Sequence, residues 1–157
     1  MKLTPGIPVK GFTLIELLLA MAIMALLSGI AIPTYNSFVD RARTGEAIAD
    51  IGMLDMRIER FISNNFALPD DLNELDGDVG LDPWGQPYQY LRIRGNNQNG
   101  LRGQLRKDRN LVPINSDYDL YSVGEDGASR PPLQASPSRD DIVRAADGSF
   151  IGSAEDF

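Results

Sequence analysis

The chain has 157 residues, a formal charge of −7 from 15 basic and 22 acidic side chains, and neither cysteine nor histidine. That length holds one domain or a domain with an appendage, and so acidic a surface repels nucleic acid at long range. Without histidine the commonest general base and metal ligand is missing, without cysteine no disulfide can form, and no phosphate loop or nucleophile elbow appears, so the composition argues against an enzyme.

The chain opens with a short basic leader carrying Lys2 and Lys10, then Gly11, then an apolar run over residues 12–33 in which Glu16 is the one charged residue. A membrane helix needs about 20 apolar residues, and this run is long enough. An ionisable group inside such a segment costs roughly 2.5–3.5 kcal/mol on insertion scales and is normally kept for a partner or a pathway. A secretory signal peptide explains the pattern poorly. Its apolar core is about 7–15 residues long and is followed by the cleavage site, whereas here the small residue, Gly11, comes first. Lys2 and Lys10 favour a cytoplasmic N-terminus, although Arg41 and Arg43 follow on the other flank. Ala25 and Gly29 form a small-xxx-small pair of the kind that lets helices approach closely.

The residues Gly11-Phe12-Thr13-Leu14-Ile15-Glu16-Leu17 resemble the processing site of the type IV pilin family, which includes the pseudopilins of type II secretion. The resemblance implies that residues 1–11 are a leader, that a prepilin peptidase cuts between Gly11 and Phe12, and that the new amine of Phe12 is N-methylated. Glu16 would then be the fifth residue of the mature chain. A carboxylate in hydrocarbon is held ionised by a cation a few ångströms away, and the amine of Phe12, on the same subunit or a neighbour, is available. Glu16 is therefore the expected assembly residue; the plainer alternative is a single-span anchor whose glutamate snorkels to the interface.

Beyond Pro33, where a helix can kink, helix-compatible sequence resumes and lasts to about Asn64. Ile48, Ile51, Leu54, Ile58, Phe61 and Ile62 recur at three- and four-residue steps, while Asp40, Arg41, Arg43, Glu46, Asp50 and Glu59 take the polar positions. This is an amphipathic face packed on something. A helix over 12–64 rises about 1.5 Å per residue and spans roughly 80 Å, so its far half lies against the remainder, a head over 65–157.

The head reads as short elements and turns. Asp71 with Glu74 predicts a capping box opening a short helix at 72–75. Asp82-Pro83-Trp84-Gly85 is a turn, with Pro second and Gly fourth. The aromatic and β-branched run at 88–94 predicts a strand ending at Gly95, the Gly-Asn segment over 95–100 a loop, and residues 118–123 a second strand. Together these give an α+β fold, a small antiparallel sheet on a long helix.

Asp82-Pro83-Trp84-Gly85-Gln86-Pro87-Tyr88-Gln89-Tyr90 and Asp119-Leu120-Tyr121-Ser122-Val123-Gly124-Glu125-Asp126-Gly127 resemble the head of the major pseudopilin of type II secretion. In that family a calcium ion holds the C-terminal loop. The resemblance implies calcium ligands at Asp126, Asp140 and Asp141, a backbone-carbonyl ligand at Val123, and a weaker one at Ser122. Calcium takes about 6–8 oxygen ligands from flexible loops; read without the resemblance, these acids are ordinary solvated turn residues.

The pattern departs from the family in two places. Residues 96–115 are longer than the compact pseudopilin connection and carry Arg102, Arg106, Lys107 and Arg109, read as a solvated loop or, alternatively, a contact with an acidic neighbouring subunit. After Ile142 the sequence continues Val143-Arg144-Ala145-Ala146 where the family places a tryptophan. The implied protein is a structural subunit of the type II secretion pseudopilus. It would be held in the bacterial inner membrane with its head in the periplasm, self-polymerising, and meeting minor pseudopilins, the prepilin peptidase and an inner-membrane assembly platform. A type IV pilin for adhesion, motility or DNA uptake and a non-polymerising tethered binding module are the alternatives.

Overall fold

A computed structural model describes residues 11–96 and 100–157; the leader over 1–10 and the middle of the expected loop, 97–99, lie outside the described residues. The chain divides into two compact units, Met1–Asp40 and Arg41–Phe157. One helix, α1, runs Leu14–Asn65. Its N-terminal part exposes Leu14, Leu17, Leu18, Met21, Met24, Leu27, Ile30 and Phe38 alike, a distribution that needs an apolar surrounding supplied from outside the chain. The helix continues through Pro33. Thr34 and Ser37 donate back to the carbonyls of Ile30 and Pro33 at 2.9 and 3.1 Å, so neither hydroxyl is left unpaired in that segment.

In the second unit the helix has one sided character. Ala47, Ile51, Leu54 and Ile58 are buried at three- and four-residue steps, with Ile48, Phe61 and Ile62 packed half-buried around them, as the periodicity requires. They cover a four-stranded antiparallel sheet in the order β1 (Gln89–Arg92), β2 (Tyr118–Ser122), β3 (Ile142–Ala145) and β4 (Phe150–Ser153). The register pairs Arg92 with Tyr118, Ser122 with Ile142, and Ala145 with Phe150. Strand residues alternate between two clusters: Tyr118, Leu120 and Ile142 join the helix, whereas Tyr121, Val143 and Ala145 join Ile114, Leu133, Ala154 and Phe157 on the other face. Residues from the 96–115 segment and the C-terminus thus close the face of the sheet that the helix leaves open.

Three expectations change in detail. The helix foreseen at 72–75 is a single 3₁₀ turn, Leu72–Glu74, whose cap Asp71 accepts from Asn73 N–H at 2.7 Å. Glu74 reaches the N–H of Asp70, at 3.2 Å, rather than that of Asp71. Strands β3 and β4 were unforeseen: all four residues of β3 are buried and a strand covered on both faces shows no polar alternation, while β4 is four residues long and holds Gly152, which weakens its strand signal. Finally, 96–115 is not simply a solvated loop. It contains a short helix, α2 (Leu101–Gln104), and buries Leu105, Arg106, Ile114 and Asn115, while Arg102, Lys107 and Arg109 are exposed.

Candidate functional site

Gly11 and Phe12 precede the helix as exposed residues outside regular secondary structure, Phe12 being 86% accessible. A Cβ built on Gly11 meets nothing within 4 Å. Among the described residues nothing therefore demands glycine there. Glu16 sits in the first turn of α1 and closes a reciprocal cap. Its Oε2 accepts from Thr13 N–H at 2.9 Å and from Thr13 Oγ1 at 2.8 Å, and its own N–H donates to Thr13 Oγ1 at 3.3 Å. This is the Thr-x-x-Glu capping box, a signature present in the sequence at Thr13-Leu14-Ile15-Glu16 and overlooked there. Glu16 is thus satisfied within its own subunit, at the positive end of the helix dipole, and next to the residue at which cleavage would create an amine.

The head is fastened to α1 through polar groups at the margin of its apolar stripe. Asp50 accepts from Tyr88 OH at 2.8 Å and Asp55 from Tyr118 OH at 2.6 Å. Burial, and then the bond to a carboxylate, push both phenols well above their usual value, so they stay protonated donors. Asp50 is consequently not one of the free polar positions of the helix. Arg144, 2% exposed in β3, pairs with Asp55 and makes two parallel bonds to Asp117, Nη1–Oδ1 and Nη2–Oδ2, both 2.9 Å. Its guanidinium lies 4.0 Å from the centre of the Tyr118 ring. Burial works to lower the Arg144 pKa, but the bonds to Asp117, with Tyr118 and Asp55, raise it overall. No local sequence pattern marks Arg144; its acids come from a helix and a loop far away in the chain.

The expected calcium loop is built around two turns. Asp82 is 4% exposed; its Oδ1 accepts from Trp84 and Gln86 N–H at 3.1 and 2.7 Å, and Gly85 N–H closes the turn on Asp82 O at 2.8 Å. Its Oδ2 accepts from Ser122 Oγ, which accepts in turn from Gly124 N–H at 3.1 Å. Ser122 is thereby committed, while Val123 follows β2 as a half-buried residue. Gly124 has φ 68° and faces Asp140 so closely that a Cβ would stand 2.5 Å from the Asp140 carbonyl oxygen, a position only glycine fills. Asp140 Oδ2 accepts from Asp126 N–H at 3.0 Å, and Asp126 Oδ1 is turned to Ala128 N–H at 2.8 Å.

Asp141 is a different case. It is wholly buried, and its Oδ2 accepts from Ser129 Oγ at 2.6 Å and from Arg106 Nη2. Burial raises this carboxyl, against the pull of Ser129 and Arg106. The fold brings Asp126 and Asp140 together but commits the third acid to a guanidinium. Among the described residues no three acidic side chains converge as a metal site would need. Val123, Asp126, Asp140 and Asp141 as they stand do not fit the ligand set that the resemblance implies.

Comparison with known proteins agrees with the N-terminal geometry. The family model for the prokaryotic N-terminal methylation motif matches residues 8–32. The type IV major fimbrial protein FimA of Dichelobacter nodosus is 30% identical over 116 residues, covering 74% of this chain and 70% of that protein. The type II secretion system core protein G of Pseudomonas aeruginosa is 28% identical over 139 residues, covering 75% of this chain and 84% of that protein. No solved structure matches.

Proposed function

The chain belongs to the type IV pilin-like family, whose members are structural subunits rather than enzymes, and from that premise we propose that it is a subunit of a type II secretion pseudopilus. The observation that carries this reading is the extent of the match to core protein G, which takes in 84% of that protein and passes beyond the helix into the head. The Asp82-Pro83-Trp84-Gly85 and Gly124-Glu125-Asp126-Gly127 turns of the head, joined through Ser122, support it. In this reading a peptidase removes residues 1–11, and the apolar part of α1, the one described helix long and apolar enough to cross a membrane, holds the subunit in the inner membrane with the head in the periplasm. An assembly platform then extracts it into a filament with its own copies and minor pseudopilins. Glu16 neutralises the amine of Phe12 there.

Deleting the gene in its host is expected to strip folded proteins from the culture supernatant and leave surface filaments and motility unchanged. Intact secretion with lost surface filaments would make the chain a type IV pilin. Electron microscopy of cells overexpressing it with its assembly operon is expected to show filaments, and their absence would leave a tethered binding module.

Processing is checked separately. Mass spectrometry of the mature protein is expected to find a chain beginning at N-methylated Phe12. Gly11→Ala is expected to be cut nearly as well as the parent, since no described residue stands within 4 Å of a Cβ there, and Gly11→Glu to retain the leader. A mature terminus near residue 33 would return the segment to the signal-peptide class.

A further inference from the structure

We propose that Arg106, carried by the 96–115 segment, is the resident cation of the C-terminal loop, so that in this protein an arginine does the work for which the family's loop recruits calcium. The side chain is 3% exposed and that of its partner Asp141 0%. The guanidinium pairs with Asp141 Oδ2 through Nη2, while Nη1 reaches Ser129 Oγ and the carbonyl of Arg130, the latter at 2.9 Å. It stacks 4.2 Å from the centre of the Tyr121 ring, a desolvated cation–π contact. Ser129, Arg130 and Asp141 all belong to the loop, so one side chain gathers both of its arms.

The main chain makes the same connection. Lys107 N–H donates to Pro131 O at 3.0 Å, and Leu133 N–H returns the bond to Lys107 O at 2.9 Å. Arg106 N–H is itself held by Asp119 Oδ2 at 3.0 Å, and its carbonyl receives Ile114 N–H at 3.0 Å. With backbone fixed on both sides, the guanidinium is delivered to Asp141 already positioned, and little side-chain freedom is lost on pairing.

A divalent ion would have to compete with this guanidinium for Asp141. Calcium requires about 6–8 oxygens. Asp141 Oδ2 already accepts two donors, and the remaining Oδ1 is buried without a partner, as is Arg106 Nε. Those two atoms are the donor and acceptor that a side-on, two-bond guanidinium–carboxylate pairing joins. A calcium ion at Oδ1 would sit beside a fixed positive charge instead. The inference concerns how the loop is closed and holds whichever filament the chain enters.

The test is thermal unfolding of the full chain in detergent micelles, followed by near-ultraviolet circular dichroism after treatment with EGTA. Adding millimolar calcium chloride is expected to leave the wild-type Tm unchanged. Arg106→Gln is expected to melt lower by about 10 °C or more, because it strands a buried carboxylate. Adding Asp141→Asn to that variant is expected to recover part of the loss by removing the stranded charge. Three results would overturn the inference: a calcium-dependent rise in the wild-type Tm that Asp126→Ala or Asp140→Ala abolishes, an Arg106→Gln variant as stable as the parent, or a double variant no better than Arg106→Gln alone. The wild-type calcium measurement decides even if Arg106→Gln fails to fold.

Discussion

Replacing Glu16 by leucine is expected to leave membrane insertion and leader cleavage intact and to abolish filaments. Insertion improves when a carboxylate that costs roughly 2.5–3.5 kcal/mol in hydrocarbon is removed, and the bond to be cut lies on the other side of Thr13. Assembly is different, because a subunit packed among its neighbours would bury the amine of Phe12 with no anion to meet it. An uncompensated buried charge costs about 3–5 kcal/mol, a factor of about a hundred or more in adding each subunit. The capping box supplies a competing explanation, since Glu16 also satisfies Thr13 N–H in the isolated subunit. Glu16→Gln separates the two. Glutamine can still reach back to cap the helix but carries no charge, so it is expected to assemble as poorly as leucine. Filaments from Glu16→Gln at parental yield, counted by electron microscopy, would assign Glu16 to helix capping and remove the charge-pairing role.

The second large effect is expected at Arg144. Its guanidinium neutralises Asp117, with a side chain 7% exposed, and Asp55, at 21%, and it connects sheet, helix and the approach to β2 in one group. Arg144→Met keeps much of the aliphatic volume but leaves the Asp117 carboxylate buried without a cation, at about 3–5 kcal/mol. For a head of this size that lowers the Tm by on the order of 10–20 °C. Arg144→Lys is expected to rescue little, because a single ammonium cannot make the two parallel bonds to Asp117 and reach Asp55 as well. Neutralising the acids in the Arg144→Met background, with Asp117→Asn and Asp55→Asn, is expected to restore part of the stability. Circular dichroism of the full chain in detergent reads all three. A loss under about 1 kcal/mol for Arg144→Met would mean that water reaches these acids and that the network is a surface feature.

Much of the molecule is legible in its residues because the relevant physics is local. An apolar run of membrane-spanning length, a glycine before it and an acid within it require only the order of residues 11–33. The stripe from Ala47 to Ile58 follows from helical periodicity, and the turn at Asp82-Pro83-Trp84-Gly85 from the fixed φ of proline and the freedom of glycine at φ 85°. The Thr13–Glu16 cap was equally readable. Strands β3 and β4 were not, because β3 is buried at all four residues and has no alternation to display, and β4 is a four-residue strand with a glycine inside it.

What the sequence by itself determined is therefore the long helix, its apolar part of membrane-spanning length, the N-terminal methylation motif and the existence of a small sheet beside the helix, all signalled by patterns within a few residues. What only the tertiary structure decided is which charges go inside. Arg106 meets Asp141 across 35 positions and Arg144 meets Asp55 across 89. A basic residue is buried only where an acid from elsewhere in the chain offsets its lost hydration. No window of neighbouring residues contains both members of such a pair, so Arg106, read with its segment as solvated in the sequence, and Arg144, which no local pattern marks, become the groups that hold the loops once the sheet is closed on both faces.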